Sequence, residues 1–100
     1  MHVISKKALE LFWLKHPTAR VPLDAWYRLV STSHFDSLHK IKRTFNSTDY
    51  VSPYTVFDIA GNNFRVIAAL HYNRQKLYIR HVFTHAEYAR WNKSQQSKKS

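Results

Sequence analysis

The sequence predicts a small α+β protein in which two N-terminal helices pack on a mainly antiparallel sheet. Two patterns support this fold class: apolar residues recur at helical spacing in the first third of the chain, and β-branched and aromatic residues alternate between 54 and 84. Polar turn signals at 60–63 and 73–76 divide the second region into strands. The chain has 100 residues, enough for one modest core, so we expect a single domain over 1–91.

The helical region follows a short apolar segment, 1–4, which we expect to form a strand at the sheet edge. Ser5 suits the N-cap of a first helix over 6–16, which must end before the proline that follows. Pro22 suits the first turn of a second helix over 22–33. Because the link between them is short, the two helices should lie antiparallel on the sheet.

The next segment, 37–43, is compatible with either a short helix or an extended conformation. It carries three cations, Lys40, Lys42 and Arg43. This cluster could contact an RNA backbone, and a solvated surface is the alternative explanation.

Three consecutive strands are expected to form a meander: 54–59, 64–72 and 77–84. Gly61 is the only glycine, and its place in the first turn suggests a backbone conformation that other residues resist. A simple second hairpin would pair Tyr72 with Leu77 and Ala68 with His81. Side chains alternate across a strand, so this register assigns each residue to a face.

One face of the last two strands is expected to pack in the core, with His81 as a core histidine: Phe64, Val66, Ala68, Leu70, Tyr72, Leu77, Ile79, His81 and Phe83. The other face mixes polar and small apolar side chains: Arg65, Ile67, Ala69, His71, Tyr78, Arg80, Val82 and Thr84. Asp58 lies opposite Arg65 in the predicted register. A sheet with one dry face and one cationic face can hold an anionic ligand.

The end of the last strand carries a helix start signal. Thr84 should cap a short helix from His85 to about Trp91, with Glu87 in the position of a capping box. Residues 92–100 are polar and include three lysines, so we expect a flexible basic tail.

Charge is the unusual feature of the composition. The 16 Lys and Arg residues against 6 Asp and Glu give a formal net charge of +10, which indicates a polyanionic partner. Nucleic acid is the first candidate, an acidic protein the second and an anionic membrane the third. The absence of cysteine excludes a disulfide scaffold, a thiolate zinc site and cysteine catalysis. With no signal-peptide core and no apolar run long enough to cross a bilayer, we expect a cytoplasmic protein, and of the three candidate partners the membrane is the one we do not expect.

Four residues of the final hairpin and helix are candidates for chemistry. Arg65 and Arg80 share the polar face and could clamp a phosphate; alternatively, Arg65 only pairs with Asp58 and Arg80 is a solvated charge. His85 and Tyr88 are three apart on one helix face, where histidine could act as a general acid or base. The alternative is a histidine at a helix start beside a packed tyrosine.

Other chemistries lack their motifs. No HxH or HExxH spacing occurs and carboxylates are few, so we expect no metal or other cofactor. There is also no glycine-rich phosphate loop and no GxSxG sequence.

Several short motifs recur together along the chain: Lys42 with Phe45, Tyr54-x-Val56-Phe57-Asp58-Ile59-x-Gly61-Asn62, Phe64-Arg65-Val66-Ile67, Tyr78-Ile79-Arg80 and Thr84-His85-x-Glu87-Tyr88. With these motifs, nearly the whole chain resembles the HigB-type toxins of bacterial toxin–antitoxin systems, which belong to the RelE superfamily of small ribonucleases. The stretch 61–88 is the specific part, although Ala89-Arg90 stands where the family often has an acidic residue.

The resemblance implies a RelE-like α+β fold with a curved sheet, cleavage of mRNA in the ribosomal A site, and a HigA-like helix-turn-helix antitoxin as partner. It implies catalytic roles for Arg65, Arg80, His85 and Tyr88. RNA binding is assigned to a further set: Lys40, Lys42, Arg43, His71 and Tyr78. Without metal ligands, cleavage would use the 2′-hydroxyl of the RNA. Two alternatives stay open: a non-catalytic RNA- or ribosome-binding module, and a DNA-binding regulator.

Overall fold

Five strands form one mixed sheet in a computed structural model that describes residues 1–98. The strands are β1 (His2–Ile4), β2 (Asp49–Val51), β3 (Tyr54–Ile59), β4 (Phe64–His71) and β5 (Lys76–Thr84). Their order across the sheet is β1-β5-β4-β3-β2. Only β1 is parallel to its neighbour, β5, so the sheet is mainly antiparallel as the sequence predicts.

Within residues 1–98, four α-helices accompany the sheet: α1 (Lys6–Lys15), α2 (Arg20–Thr32), α3 (Leu38–Thr44) and α4 (His85–Lys98). The start of α2 precedes the predicted one because a 3₁₀ turn, Pro17–Ala19, leads directly into it. The open choice for 37–43 is resolved as a helix, whose N-cap Ser37 accepts a hydrogen bond from the backbone N–H of Lys40 at 3.3 Å.

The C-terminal helix is longer than predicted. It was expected to end near Trp91 but continues through residue 98, so residues 92–98 of the expected tail are helical. The last two residues, 99 and 100, lie outside the described residues. None of the helices in residues 1–98 combines the length and apolar character needed to cross a membrane.

The main core lies between α1, α2 and one face of the sheet. Leu9 and Leu23 of the helices are fully buried with Val66 of β4 and Leu77 of β5. Full burial of such side chains contributes roughly 1.5–3 kcal/mol each. The predicted packing face of β4 is therefore confirmed, whereas Leu11 of α1, at an apolar position of that helix, is 54% exposed.

The opposite face of the sheet, here called the outer face, is not open. Val56 and Ile67 lie on it and are 1% and 0% exposed. Trp91 of α4 packs across this face, with its ring centroid 5.8 Å from that of Tyr54. The expectation of a free cationic face is wrong over the middle of the sheet, because α4 folds back and covers it.

A β-bulge in β5 changes the predicted assignment of side chains to faces. Ile67 pairs with His81 and Ala68 pairs with Ile79, so Arg80 has no partner on β4. One extra residue on a strand reverses the alternation beyond it. The predictions for the end of β5 are therefore wrong. Val82 and Thr84 turn to the core side, and His81 and Phe83 turn to the outer face.

The β4–β5 loop also lies one residue earlier than predicted, so that His71 pairs with Lys76 and Leu70 with Leu77. Gln75 ends the loop in the left-handed conformation, with φ +54°. Its side-chain amide donates to the carbonyl oxygens of Phe35 and Tyr72 at 2.6 and 2.7 Å. The contact with Phe35 is distant in sequence, which explains why local turn signals misplaced the loop.

Candidate active site

Three of the predicted functional residues meet at the bulge of β5. Arg80 is exposed, and its Cζ atom lies 5.5 Å from the ring centroid of Tyr78. The Tyr78 ring in turn meets His71 edge-to-face, with 5.3 Å between centroids. Stacking on an aromatic ring orients a guanidinium and leaves its N–H groups free to bind an anion. This group, Arg80, Tyr78 and His71, is called the Arg80 cluster below.

A groove of about 520 Å³ lies next to Arg80, between β5 and α1. β1 pairs only with residues 76–78, so among the described residues no strand continues the sheet beside the rest of β5. Lys15 and His16 at the end of α1 line the groove opposite Arg80. Sequence reasoning did not select these two residues, because their approach to Arg80 depends on how α1 packs against β5.

Arg65 is not a free phosphate clamp. It is 7% exposed, and its Nε lies 2.8 Å from Oδ1 of Asp58, the residue opposite it on β3. Its Nη1 donates to the carbonyl oxygen of Phe64 at 3.2 Å. The ion pair with Asp58 is the alternative that the sequence left open, and a catalytic role for Arg65 stays a prediction.

Tyr88 covers this ion pair from α4. Its ring centroid lies 5.1 Å from Cζ of Arg65 and 6.0 Å from the ring of Trp91. Partial burial raises the pKa of the Tyr88 hydroxyl; the nearby carboxylates also raise it, against the opposing effect of Arg65. The phenol therefore stays protonated near neutral pH and can donate a proton or a hydrogen bond.

His85 lies at the junction of β5 and α4. It is exposed, and its backbone N–H donates to the carbonyl oxygen of Asn63 at 3.0 Å. The predicted capping box is confirmed: Thr84 N–H donates to Glu87 Oε1 at 2.8 Å, and Glu87 N–H donates to Thr84 Oγ1 at 3.3 Å. The cap fixes the start of α4 and so sets where His85 and Tyr88 leave the helix.

The capping box predicts a pH-dependent stability. Its hydrogen bonds from Thr84, of which the backbone bond is the largest cause, lower the pKa of Glu87. Stability from this group is thus present above the unfolded pKa of glutamate and is lost as pH falls through the lower folded value. We expect Glu87→Ala to reduce the free energy of unfolding by roughly 0.5–2 kcal/mol at neutral pH. Urea unfolding at neutral and acidic pH measures the loss.

The control for this measurement is Glu10→Ala, which removes an exposed carboxylate of α1. The stability of Glu87→Ala should fall less on acidification than that of the parent protein. If the parent protein and Glu87→Ala lose the same free energy of unfolding on acidification, the role assigned to the Glu87 carboxylate is contradicted.

The basic residues of α3 are separate from the Arg80 cluster. Lys42 and Arg43 are exposed in its last turn, and Lys40 pairs with Asp36 at 3.0 Å. α3 packs through Ile41 into the main core, on the side of the sheet opposite Tyr78. The structure therefore does not place these cations on the face that carries the Arg80 cluster.

Metal-ligating side chains are not grouped in the described part of the chain. Within residues 1–98, no set of three or more His, Cys, Asp or Glu side chains is placed to hold a metal ion.

The mixed sheet, the helices on its two faces and the cationic strand end are consistent with a small RelE-like α+β protein. Residues 19–91 match the HigB_toxin family, described as the RelE-like toxic component of a toxin-antitoxin system. The chain therefore belongs to the HigB toxin family. The resemblance found in the sequence is confirmed, and the family implies an antitoxin as partner.

Curated relatives support the same family. The chain is 36% identical over 91 residues to the mRNA interferase toxin HigB of Escherichia coli strain K12, and equally to the mRNA interferase HigB of Shigella flexneri. It is 32% identical over 91 residues to the mRNA interferase HigB of Escherichia coli O6:H1. Each alignment covers 88% of this chain and 88% of the relative.

Proposed function

We propose that this chain is an mRNA interferase, an endoribonuclease that cleaves mRNA through attack by the substrate's own 2′-hydroxyl. Family membership supports the activity, and the Arg80 cluster is the structural observation that carries it. An exposed guanidinium beside two aromatic rings suits single-stranded RNA, in which a phosphate and a base must be bound next to each other.

In this proposal RNA crosses the strand end that carries Arg80. Arg80 binds a phosphate bidentately, and Tyr78 and His71 stack on an unpaired base. Such stacking contributes roughly 1–3 kcal/mol per base. Lys15 and His16 extend the cationic surface along the groove, while Lys40, Lys42 and Arg43 contact the RNA or ribosome from α3.

The chemistry needs three actions: removal of the 2′-hydroxyl proton, stabilisation of the charged phosphorane and protonation of the leaving 5′-oxygen. Arg80 and Arg65 stabilise charge, with the larger share on Arg80 because Asp58 already neutralises Arg65. His85 is the acid–base candidate, and Tyr88 orients it or donates a proton. The products are a 2′,3′-cyclic phosphate and a 5′-hydroxyl, and DNA is not cut.

The proposed partner and the proposed place of cleavage are those of the family. The antitoxin is a HigA-like protein with a helix-turn-helix domain, and cleavage takes place on mRNA in the ribosomal A site of the bacterial cytoplasm. The charge of +10 suits a protein that works on ribosomal RNA and mRNA together.

Expression without the antitoxin tests the function. We expect growth to stop because translation is blocked, and we expect co-expression of the antitoxin to restore growth. Incubation of purified protein with mRNA, with and without ribosomes, should yield fragments that end in a cyclic phosphate. Undiminished protein synthesis after strong induction, together with intact mRNA in both reactions, would reject the proposal.

One observation favours a second candidate, a non-catalytic RNA- or ribosome-binding module. The buried ion pair of Arg65 and Asp58 leaves one fewer free catalytic cation than the sequence suggested. Such a module would bind ribosomes and stop translation while leaving the message intact, so the fragment analysis distinguishes the two functions.

Arg80→Ala should lower the rate of cleavage by about 100- to 1000-fold, because loss of one charge contact to a developing oxyanion commonly has this effect. Arg80 is exposed, so the melting temperature should stay close to that of the parent. Arg74→Ala is the matched control, since Arg74 is an exposed arginine of the adjacent β4–β5 loop. Equal rates in the two variants would reject the role of Arg80.

A further inference from the structure

The bulge gives His81 a position that its sequence pattern did not predict. Without the extra residue Arg80, His81 would face the core; with it, His81 lies on the outer face and is exposed. Its ring stacks on Phe83 at 4.9 Å between centroids, with 11° between the planes, and lies 6.1 Å from Trp91. The imidazole is thus held in one orientation by aromatic neighbours on β5 and α4.

The surroundings of His81 leave its ring nitrogens available. Among the described residues, its imidazole has no hydrogen-bond or ion-pair partner. It directly follows Arg80, the residue proposed to hold the phosphate. A core histidine or a structural histidine would be expected to have a polar partner, whereas a group that exchanges protons with a ligand needs a free nitrogen.

We propose that His81 is the catalytic proton acceptor that takes the 2′-hydroxyl proton of the RNA. This inference rests on the proposed RNA cleavage and adds a residue to that site. A neutral ring nitrogen accepts the proton while the 2′-oxygen forms a bond to phosphorus. The bond from phosphorus to the 5′-oxygen then breaks, and a separate donor, His85 or Tyr88, protonates the leaving oxygen. His81 ends protonated and returns its proton to solvent.

The electrostatics favour a neutral His81 before RNA binds. Although the residue is exposed, its ring packs against Phe83 and Trp91; this partial burial of the imidazole, and after it the charge of Arg80, lower the pKa of His81. The other titratable groups along the adjoining groove are Lys15 and His16 of α1 and Glu87 of α4. The Glu87 carboxylate is already engaged by Thr84. A histidine whose pKa is lowered from its ordinary value by burial and a neighbouring arginine is unprotonated near neutral pH and can accept a proton.

The test is single-turnover cleavage by His81→Ala and His81→Gln, with ribosomes present if the parent requires them. Both variants should bind RNA as the parent does and cleave it about 100-fold more slowly or worse. The rate of the parent should rise with pH through the pKa of His81, and this rise should be missing in both variants. Added imidazole should restore part of the rate of His81→Ala. His34→Ala removes an exposed histidine outside the site and is the control.

A substrate with sulfur in place of the bridging 5′-oxygen distinguishes loss of the general base from loss of the general acid. Because a thiolate leaves without protonation, this substrate should restore cleavage in a variant that lacks the acid but not in His81→Ala. Rescue of His81→Ala by the sulfur substrate, or unchanged rates and pH profiles in both His81 variants, would overturn the inference while RNA cleavage by the parent still stands. A parent protein that cleaves no RNA would overturn the proposed function and this inference with it.

Discussion

Replacement of Arg65 by alanine is expected to destabilise the folded protein by about 3–5 kcal/mol, the usual cost of removing one partner from a buried ion pair. The side chains of Arg65 and Asp58 are only 8% and 17% exposed, so the Asp58 carboxylate would stay largely buried without its counter-ion. The variant also loses the cation beneath the Tyr88 ring. Urea unfolding of parent and variant measures the difference.

Two further variants separate the ion pair from other effects of the substitution. Arg80→Ala removes an exposed arginine of the neighbouring strand and should change the free energy of unfolding by less than about 0.5 kcal/mol. The double variant Asp58→Leu, Arg65→Met removes both charges and should recover much of the lost stability. If Arg65→Ala proves as stable as Arg80→Ala, then the ion pair contributes nothing to folding.

The second large effect concerns His85. Positioned acid–base catalysis commonly contributes about 100- to 10,000-fold to a rate, and we expect His85→Ala to lower single-turnover cleavage by a factor in this range. Binding of RNA or ribosomes should be nearly unchanged, because His85 contributes a side chain at the start of α4 and not the main cationic surface.

The folded state should tolerate this change, since the capping box that starts α4 uses Thr84 and Glu87 and the backbone N–H of residue 85 remains. His34→Ala again serves as the control. A structural histidine at this position would instead show a lower melting temperature without a selective loss of rate. If His85→Ala cleaves RNA as fast as the parent, Tyr88 becomes the next candidate.

Features that depend on neighbouring residues could be predicted from the sequence alone. Apolar spacing located α1 and α2, alternation located β3 and the packing face of β4, and the Thr84–Glu87 spacing located the capping box. The pairing of Asp58 with Arg65 also followed, because the tight turn around Gly61 sets the register of that hairpin. These signals are local, so the physics that produces them is visible in a few consecutive residues.

Features that depend on contacts between distant residues could not be predicted and are seen only in the folded protein. The contact of Gln75 with Phe35 sets the β4–β5 loop, and the bulge at Arg80 sets which face of the sheet the later side chains of β5 occupy. Neither the contact nor the bulge produces a recognisable pattern in the sequence. An extra residue in a strand cannot be identified until the pairing of that strand is known.

The candidate site also contains both features that the sequence predicted and features that it did not. Arg80, Tyr78 and His71 were selected from the chain and do lie together. The burial of Arg65 beneath α4 and the exposure of His81 were not foreseen. Both depend on which face of the sheet α4 covers, and an amphipathic pattern specifies that a face is buried but not which element buries it.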